Sequence, residues 1–334
     1  MTELNISNTS LKDIPPLSEH SIKVLNVSRN YIRNLWDEDI PQGLEDLNLE
    51  MNEIRSDGLL VNWPDTLITL NLSYNPIRSF DQVEHWSHNL KTLNLSNTNL
   101  DGIFRGILLP DSLEHLDISH TSITHIHILP KSLKVLKAEK AWLRILPQSM
   151  PDSLEECLVG HNFIKNGGLP TNWGLNIKKL DMNSNYLREF PRKLPEGLKF
   201  MNLSHNLIQT IPENSRSVPN SLEILLLNKN RILSVPNWMD RNPLKFMIQM
   251  NCLTLTPIMR NCISASYQWV GVHYHFSASM IQRKWFKDRL KQGLRIWRRI
   301  GILKHDLVAV AMHPDRAGLF QNISPEWSKN CRKV

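Results

Sequence analysis

Leu222-Glu223-Ile224-Leu225-Leu226-Leu227-Asn228-Lys229-Asn230-Arg231-Ile232 reads L-x-x-L-x-L-x-x-N-x-I, and this template decides the fold. With Leu222 as position 1, further copies begin at Ile22, Leu44, Leu67, Leu90, Leu113, Leu133, Leu154, Ile177, Leu198 and, more loosely, Leu244. A clipped copy runs from Leu4 to Leu11, and full copies lie 20 to 24 residues apart. Self-similarity at a short period marks a solenoid, in which each unit buries its apolar face only against its neighbours.

Within a copy, positions 1, 4 and 6 are apolar, as in Leu113, Leu116 and Ile118. Alternation at 4 and 6 is the period of a strand with one buried face. Position 9 is Asn in most copies (Asn30, Asn52, Asn75, Asn162, Asn185, Asn206, Asn230). A buried amide there can satisfy main-chain groups that no strand partner reaches. Thr98 and Thr121 can do so in part, Cys252 weakly and Ala141 not at all. Position 11 is apolar again and returns to the core.

Seven copies are entered by Pro-x-small-Leu, as at Pro110-Asp-Ser-Leu113 and Pro219-Asn-Ser-Leu222. Five copies place a Pro six residues after position 9: Pro15, Pro147, Pro191, Pro212 and Pro236. Proline lacks an N–H and holds φ, which works against a full helix between strands. These residues resemble the leucine-rich repeat family, in its short Pro-punctuated type (LPxSLxxLxLSxN). That type is similar to repeats in bacterial effector proteins and in leucine-rich repeat proteins of giant DNA viruses. The resemblance implies a curved leucine-rich repeat solenoid, with a parallel β-sheet on its concave face and an extended or 3-10 convex side. About 12 repeats are expected over 1–257, followed by a small helical C-terminal tail or cap over 258–334.

The formal charge of +7 is unevenly placed. Residues 265–334 hold 13 Lys/Arg against 4 Asp/Glu, leaving the repeats slightly acidic. No basic leader with an apolar run opens the chain, no apolar stretch reaches membrane-spanning length, and the four cysteines are scattered. The expectation is an intracellular, cytoplasmic protein (host cytoplasm if viral). Because the first copy is clipped, either self-association at an uncapped N-terminal repeat or a missing upstream segment is also expected.

Positions 2, 3, 5, 7 and 8 face outward from the sheet, where a solenoid binds. Position 2 alternates Lys and Glu along much of the chain, which reads as a self-paired ladder. Position 5 begins as Asn5, Asn26, Asn48, Asn71 and Asn94, then Asp117, and reads as structural packing. The ladder breaks at Lys137 and Leu158. With Phe200, Ile224 and Phe246 taken as position 3 and Leu226 and Ile248 as position 5, the last repeats carry an apolar concave patch. Either the tail or a partner protein covers it. The irregular seventh copy reads first as a tolerated, locally weaker repeat; the functional alternative is a second centre made by Lys137, Lys140 and Trp142.

Residues 278–300 have helical periodicity, with Ile281, Leu290, Leu294, Trp297 and Ile300 near one face. Arg283, Lys284, Lys287, Arg289, Lys291, Arg295, Arg298 and Arg299 supply the basic excess of this tail. Such a helix can cap a solenoid, bind a partner or touch an anionic surface.

No paired carboxylates, nucleophile constellation or phosphate-cradling Gly loop stands out. His120, His161 and His205 share position 8 but in alternate copies, so no metal or cofactor site is expected. The reading is a non-catalytic protein-interaction scaffold that binds a protein through its concave face. The alternative is a binder of polyanions, nucleic acid or anionic membrane surfaces acting through the basic tail.

Overall fold

The computed structural model describes residues 2–17, 21–104, 109–214, 218–236, 245–248 and 251. Three-residue strands recur once per copy, at positions 3 to 5. They are β1 (Glu3–Asn5), β2 (Val24–Asn26), β3 (Asp46–Asn48), β4 (Thr69–Asn71) and β5 (Thr92–Asn94). There follow β6 (Asp101–Phe104), β7 (His115–Asp117), β8 (Ser122–Ile126), β9 (Val135–Lys137) and β10 (Glu156–Leu158). The last are β11 (Lys179–Asp181), β12 (Phe200–Asn202), β13 (Ile224–Leu226) and β14 (Lys245–Met247).

Twelve strands form one parallel sheet in chain order, with β6 and β8 set apart as a two-stranded pair. Parallel pairing in order is the expected solenoid. Between strands the described backbone is extended or turns through short 3-10 segments at Asp37–Asp39, Ser56–Gly58 and Asn166–Gly168. That is the wall expected of Pro-punctuated repeats. The β6–β8 pair was not expected; it lies after position 9, where copies 5 and 6 run extended side by side.

Positions 1, 4, 6 and 11 make the core: Leu113, Leu116, Ile118 and Ile123 are all buried. The buried asparagines tie one copy to the previous one. The Asn185 Oδ1 accepts from Ile164 N at 2.9 Å, while its Nδ2 donates to Val159 O at 3.0 Å and Met182 O at 3.2 Å. The hydroxyls of Thr98 and Thr121 reach only the carbonyls of Leu95 and Ile118, each at 2.8 Å. That is the partial substitution expected of threonine.

The twelfth copy corrects the sequence reading by one residue. In the sheet Leu225 faces Phe246, not Met247. Asn251 therefore holds position 9: its Oδ1 accepts from Ile232 N at 3.0 Å, and its Nδ2 donates to Leu227 O at 2.8 Å. Cys252, which the sequence put there, lies outside the described residues. A one-residue slip moves each side chain of a strand to the opposite face. Phe246 and Ile248, read as concave contact residues, are instead buried in the core.

Candidate protein-contact surface

Position 8 takes a left-handed conformation in copy after copy, as at Arg29 (φ 56), Tyr74 (φ 56), Lys140 (φ 52), His161 (φ 54) and Lys229 (φ 53). There the N–H reaches the next copy, as His161 N does to Asn183 O at 2.8 Å. A non-Gly residue in this region costs roughly 1 kcal/mol or more. The lateral bond offsets this, and the turn throws the side chain outward. Position 9 then points in, position 10 out and position 11 in. Positions 8 and 10 so form two parallel outward rows.

In copies 7, 8 and 9, position 10 is aromatic. Trp142 meets Phe163 edge-on with ring centroids 6.1 Å apart, and Phe163 stacks on Tyr186 at 5.8 Å. Exposures are 58%, 43% and 44% for Trp142, Phe163 and Tyr186. Main-chain bonds set the spacing: Phe163 N donates to Leu143 O, and Tyr186 N to Ile164 O. The rings pack on one another and leave their outer faces to solvent.

In the neighbouring position-8 row Lys140, His161, His205 and Lys229 are exposed, with the half-buried Ser184 between the two histidines. Partial burial pulls the His205 imidazole below its ordinary range, with Lys229 and His161 adding to the shift. Lys137, at the end of β9, and Lys140 are exposed and form no ion pair among the described residues. The position-2 row behaves differently. Glu114 sits between Lys91 at 2.7 Å and Lys134 at 2.5 Å, and Lys178 pairs with Glu155 at 2.7 Å. The Lys134 and Lys91 ammonium groups hold the Glu114 carboxyl at about 2. The self-paired ladder is present as expected, whereas Lys137 and Lys140 form no such pair among the described residues.

Position 5 explains why the ladder breaks where it does. Its side-chain oxygen accepts the N–H of position 7, as Asn71 does from Ser73 N at 3.1 Å and Asp117 from Ser119 N at 2.9 Å. Lys137, Leu158 and Leu226 carry no such acceptor. At Lys137 the hydroxyl of Ser119 in the previous copy takes over, 3.2 Å from Glu139 N. Local rules are most often broken where another role competes.

Leu158 is half-buried on β10, flanked by Lys137 and Asp181. Phe200 and Ile224 are lateral partners and half-buried, and Leu226 faces Asn202. Phe246 and Ile248, in the core, leave the apolar patch, which keeps Phe200, Ile224 and Leu226. The eight basic residues from Arg283 to Arg299, the helix expected over 278–300 and the boundary at 257/258 lie outside the described residues. Phe163 and Tyr186 were missed by the sequence reading, although an aromatic at position 10 in three successive copies was the signal. Among the described residues no helix is long and apolar enough to cross a membrane.

Comparison with known proteins agrees with this architecture. A family profile described as Leucine Rich Repeat matches residues 89–109. No curated protein matches the chain by sequence. Among solved structures, the chain is similar to YopM from Yersinia enterocolitica WA-314 at 22% identity and TM-score 0.52, covering 73% of this chain and 58% of that one. The chain thus spans little more than half the length of that relative. It is also similar to the leucine-rich repeat domain of APL1B at 18% identity and TM-score 0.64, covering 83% of this chain and 90% of that one. A third likeness is to the octameric complex of Latrophilin 3, Unc5D and FLRT2 (LRR), at 15% identity and TM-score 0.64, covering 78% of this chain and 97% of that one.

Proposed function

We propose that this leucine-rich repeat solenoid is a non-catalytic scaffold that captures a protein partner on the outward rows of copies 7 to 9. Trp142, Phe163 and Tyr186 are its apolar anchor, and Lys137 and Lys140 its charged margin. The observation that carries the reading is the aromatic row itself. Three rings on successive turns pack in a row, one contact edge-on and one stacked, and remain solvent-accessible, so they are free to bury against a partner. Exposed aromatics beside cations are the composition of binding hot spots, where a few residues supply most of the affinity. The unpaired Lys137 and Lys140 favour a partner segment that carries carboxylates beside apolar side chains.

Support from related folds is at the level of architecture. The FLRT2 and LRIM1/APL1C structures are complexes, and the first contains partners other than repeat proteins. Phe200, Ile224 and Leu226 extend the surface along the sheet toward β13. The likeness to short Pro-punctuated repeats of bacterial effectors and giant-virus proteins belongs to the same proposal, as does the expectation of capture rather than catalysis.

Affinity capture with the full chain tests it, run beside three variants: Trp142→Ala/Phe163→Ala, Lys137→Glu/Lys140→Glu, and Leu226→Asp. Loss of the same partner in the first two variants, with folding intact, is the expected result. A partner held equally by all three would place the contact elsewhere. A partner lost only when Arg283 to Arg299 are neutralised, and released steeply by salt, would favour the polyanion reading.

A further inference from the structure

We propose that Asp65, His85 and His88 form a binding site for one divalent transition-metal ion of the zinc(II) type, beside the turns that lead into β4 and β5. Asp65 lies in the Pro64-Asp65-Thr66 turn that enters the copy at Leu67, closed by Leu67 N donating to Pro64 O at 3.0 Å. The next turn, Ser87-His88-Asn89 before Leu90, stacks directly on it. Here the usual proline is replaced by Ser87, and His88 stands one period after Asp65. His85 is brought alongside by the parallel bridge between Asn62 and His85.

Three donor atoms converge. Asp65 Oδ1 lies 3.1 Å from His85 Nε2 and 3.2 Å from His88 Nδ1. One ligand atom from each residue lies within 4.8 Å of the other two. Bonds of about 2.0–2.1 Å in tetrahedral geometry put ligand atoms about 3.3 Å apart. Both Asp–His separations already match that spacing, so only the two imidazoles have to close on each other.

The backbone under the site is held by its own bonds. The Ser87 hydroxyl donates to Asp65 O at 3.0 Å and Leu67 O at 2.7 Å, and Asn89 Nδ2 donates to Asp65 O at 2.8 Å. Trp63 N donates to His85 O at 3.0 Å. Below, Trp63 and Trp86 stack at 6.1 Å and are buried. Such support lets ligands meet a metal without reordering the chain.

The equivalent turn further along shows what a plain lateral ion pair looks like. Asp111 there meets one lysine, Lys131, at 3.0 Å. Lysine offers only donors, so that pair can hold no metal. Replacing it by two imidazoles turned to one carboxylate changes the chemistry, because imidazole nitrogens with a carboxylate oxygen suit zinc, copper or nickel better than magnesium or calcium. The side chains of Asp65 and His88 are 65% and 76% exposed, which leaves a fourth position open to water or to a ligand from a partner.

The test is Zn2+ titration of the metal-stripped full chain against a chromophoric chelator, with Co2+ as a spectroscopic substitute. One equivalent is expected, weakened about ten-fold or more by either His85→Ala or His88→Ala. The Co2+ spectrum should lack a thiolate charge-transfer band. Footprinting gives a readout that needs no variant: Zn2+ should protect His85 and His88 of the wild-type chain, but not His115 or His161, from diethyl pyrocarbonate. The proposal fails if the wild-type chain takes up no Zn2+, if the double His85→Ala/His88→Ala variant binds as the wild type does, or if the bound ion leaves both histidines reactive.

Discussion

Phe246 stands beside Leu225 in the sheet, and both side chains are buried in the core. This pairing sets the register of the last described copy and takes Phe246 off the contact surface. Phe246→Ala should therefore cost about 3 kcal/mol of stability or more. Phe200→Ala, at a half-buried sheet position, should cost much less. Urea unfolding of the two variants decides the point: equal, small losses would return Phe246 to the surface.

The asparagine column carries its own prediction. Asn185→Ala strips an acceptor from Ile164 N and a donor from Val159 O and Met182 O, all inside the protein. Leaving buried main-chain groups unpaired costs about 1–3 kcal/mol each, so a loss of several kcal/mol is expected. Asn183→Ala, two residues away with its side chain on the partly buried Asp181, serves as the comparison. Matching melting temperatures for the two variants would contradict the structural role of position 9.

Glu114 predicts an acid limb. Its carboxyl is depressed from 4.5 to about 2 by Lys134 first and Lys91 second. A depressed carboxylate contributes stability that is fully present above the unfolded value of 4.5 and is lost as pH falls through about 2. Glu114→Gln should lose that contribution near neutrality, flatten thermal stability against pH between 4.5 and about 2, and converge with the wild type at the acid end of that window. An unchanged slope would mean that the exposed ladder contributes nothing measurable, as isolated surface pairs often do.

Cys157 predicts chemical silence. It occupies position 4 of copy 8, is fully buried, and burial pushes its thiol up to about 12, with Asp181 adding to the shift. The thiolate is the reactive form, so iodoacetamide at pH 8 should leave Cys157 unmodified in the native protein and label it once urea unfolds the chain. Native labelling at Cys157, read by peptide mass spectrometry, would show that copy 8 opens locally.

Much of this was legible before any coordinates. The spacing of Leu113, Leu116, Ile118 and Ile123 identified the core, and the prolines foretold a convex wall without long helices. Asn71 and its equivalents were assigned to structure, and each closes a turn on the residue two ahead. The candidate surface was half legible. Lys137, Lys140 and Trp142 stood out because they break the template, whereas Phe163 and Tyr186 obey it and passed unremarked. Their role depends on ring contacts between successive turns, a property of three copies together that no single copy displays.

What the sequence determined by itself was the solenoid: a recurring 1-4-6-9-11 pattern leaves the chain no other way to bury its leucines and pair its strands. Tertiary structure decided register and convergence. Near Leu244 the apolar pattern tolerates two alignments one residue apart, and only lateral pairing with β13 and the bonds of Asn251 choose between them. Asp65, His85 and His88 are separated by 20 and 23 residues, in segments whose lengths vary from copy to copy. Neighbourhood there is set by how one turn stacks on the next, and stacking is a property of the folded solenoid rather than of any stretch of its chain.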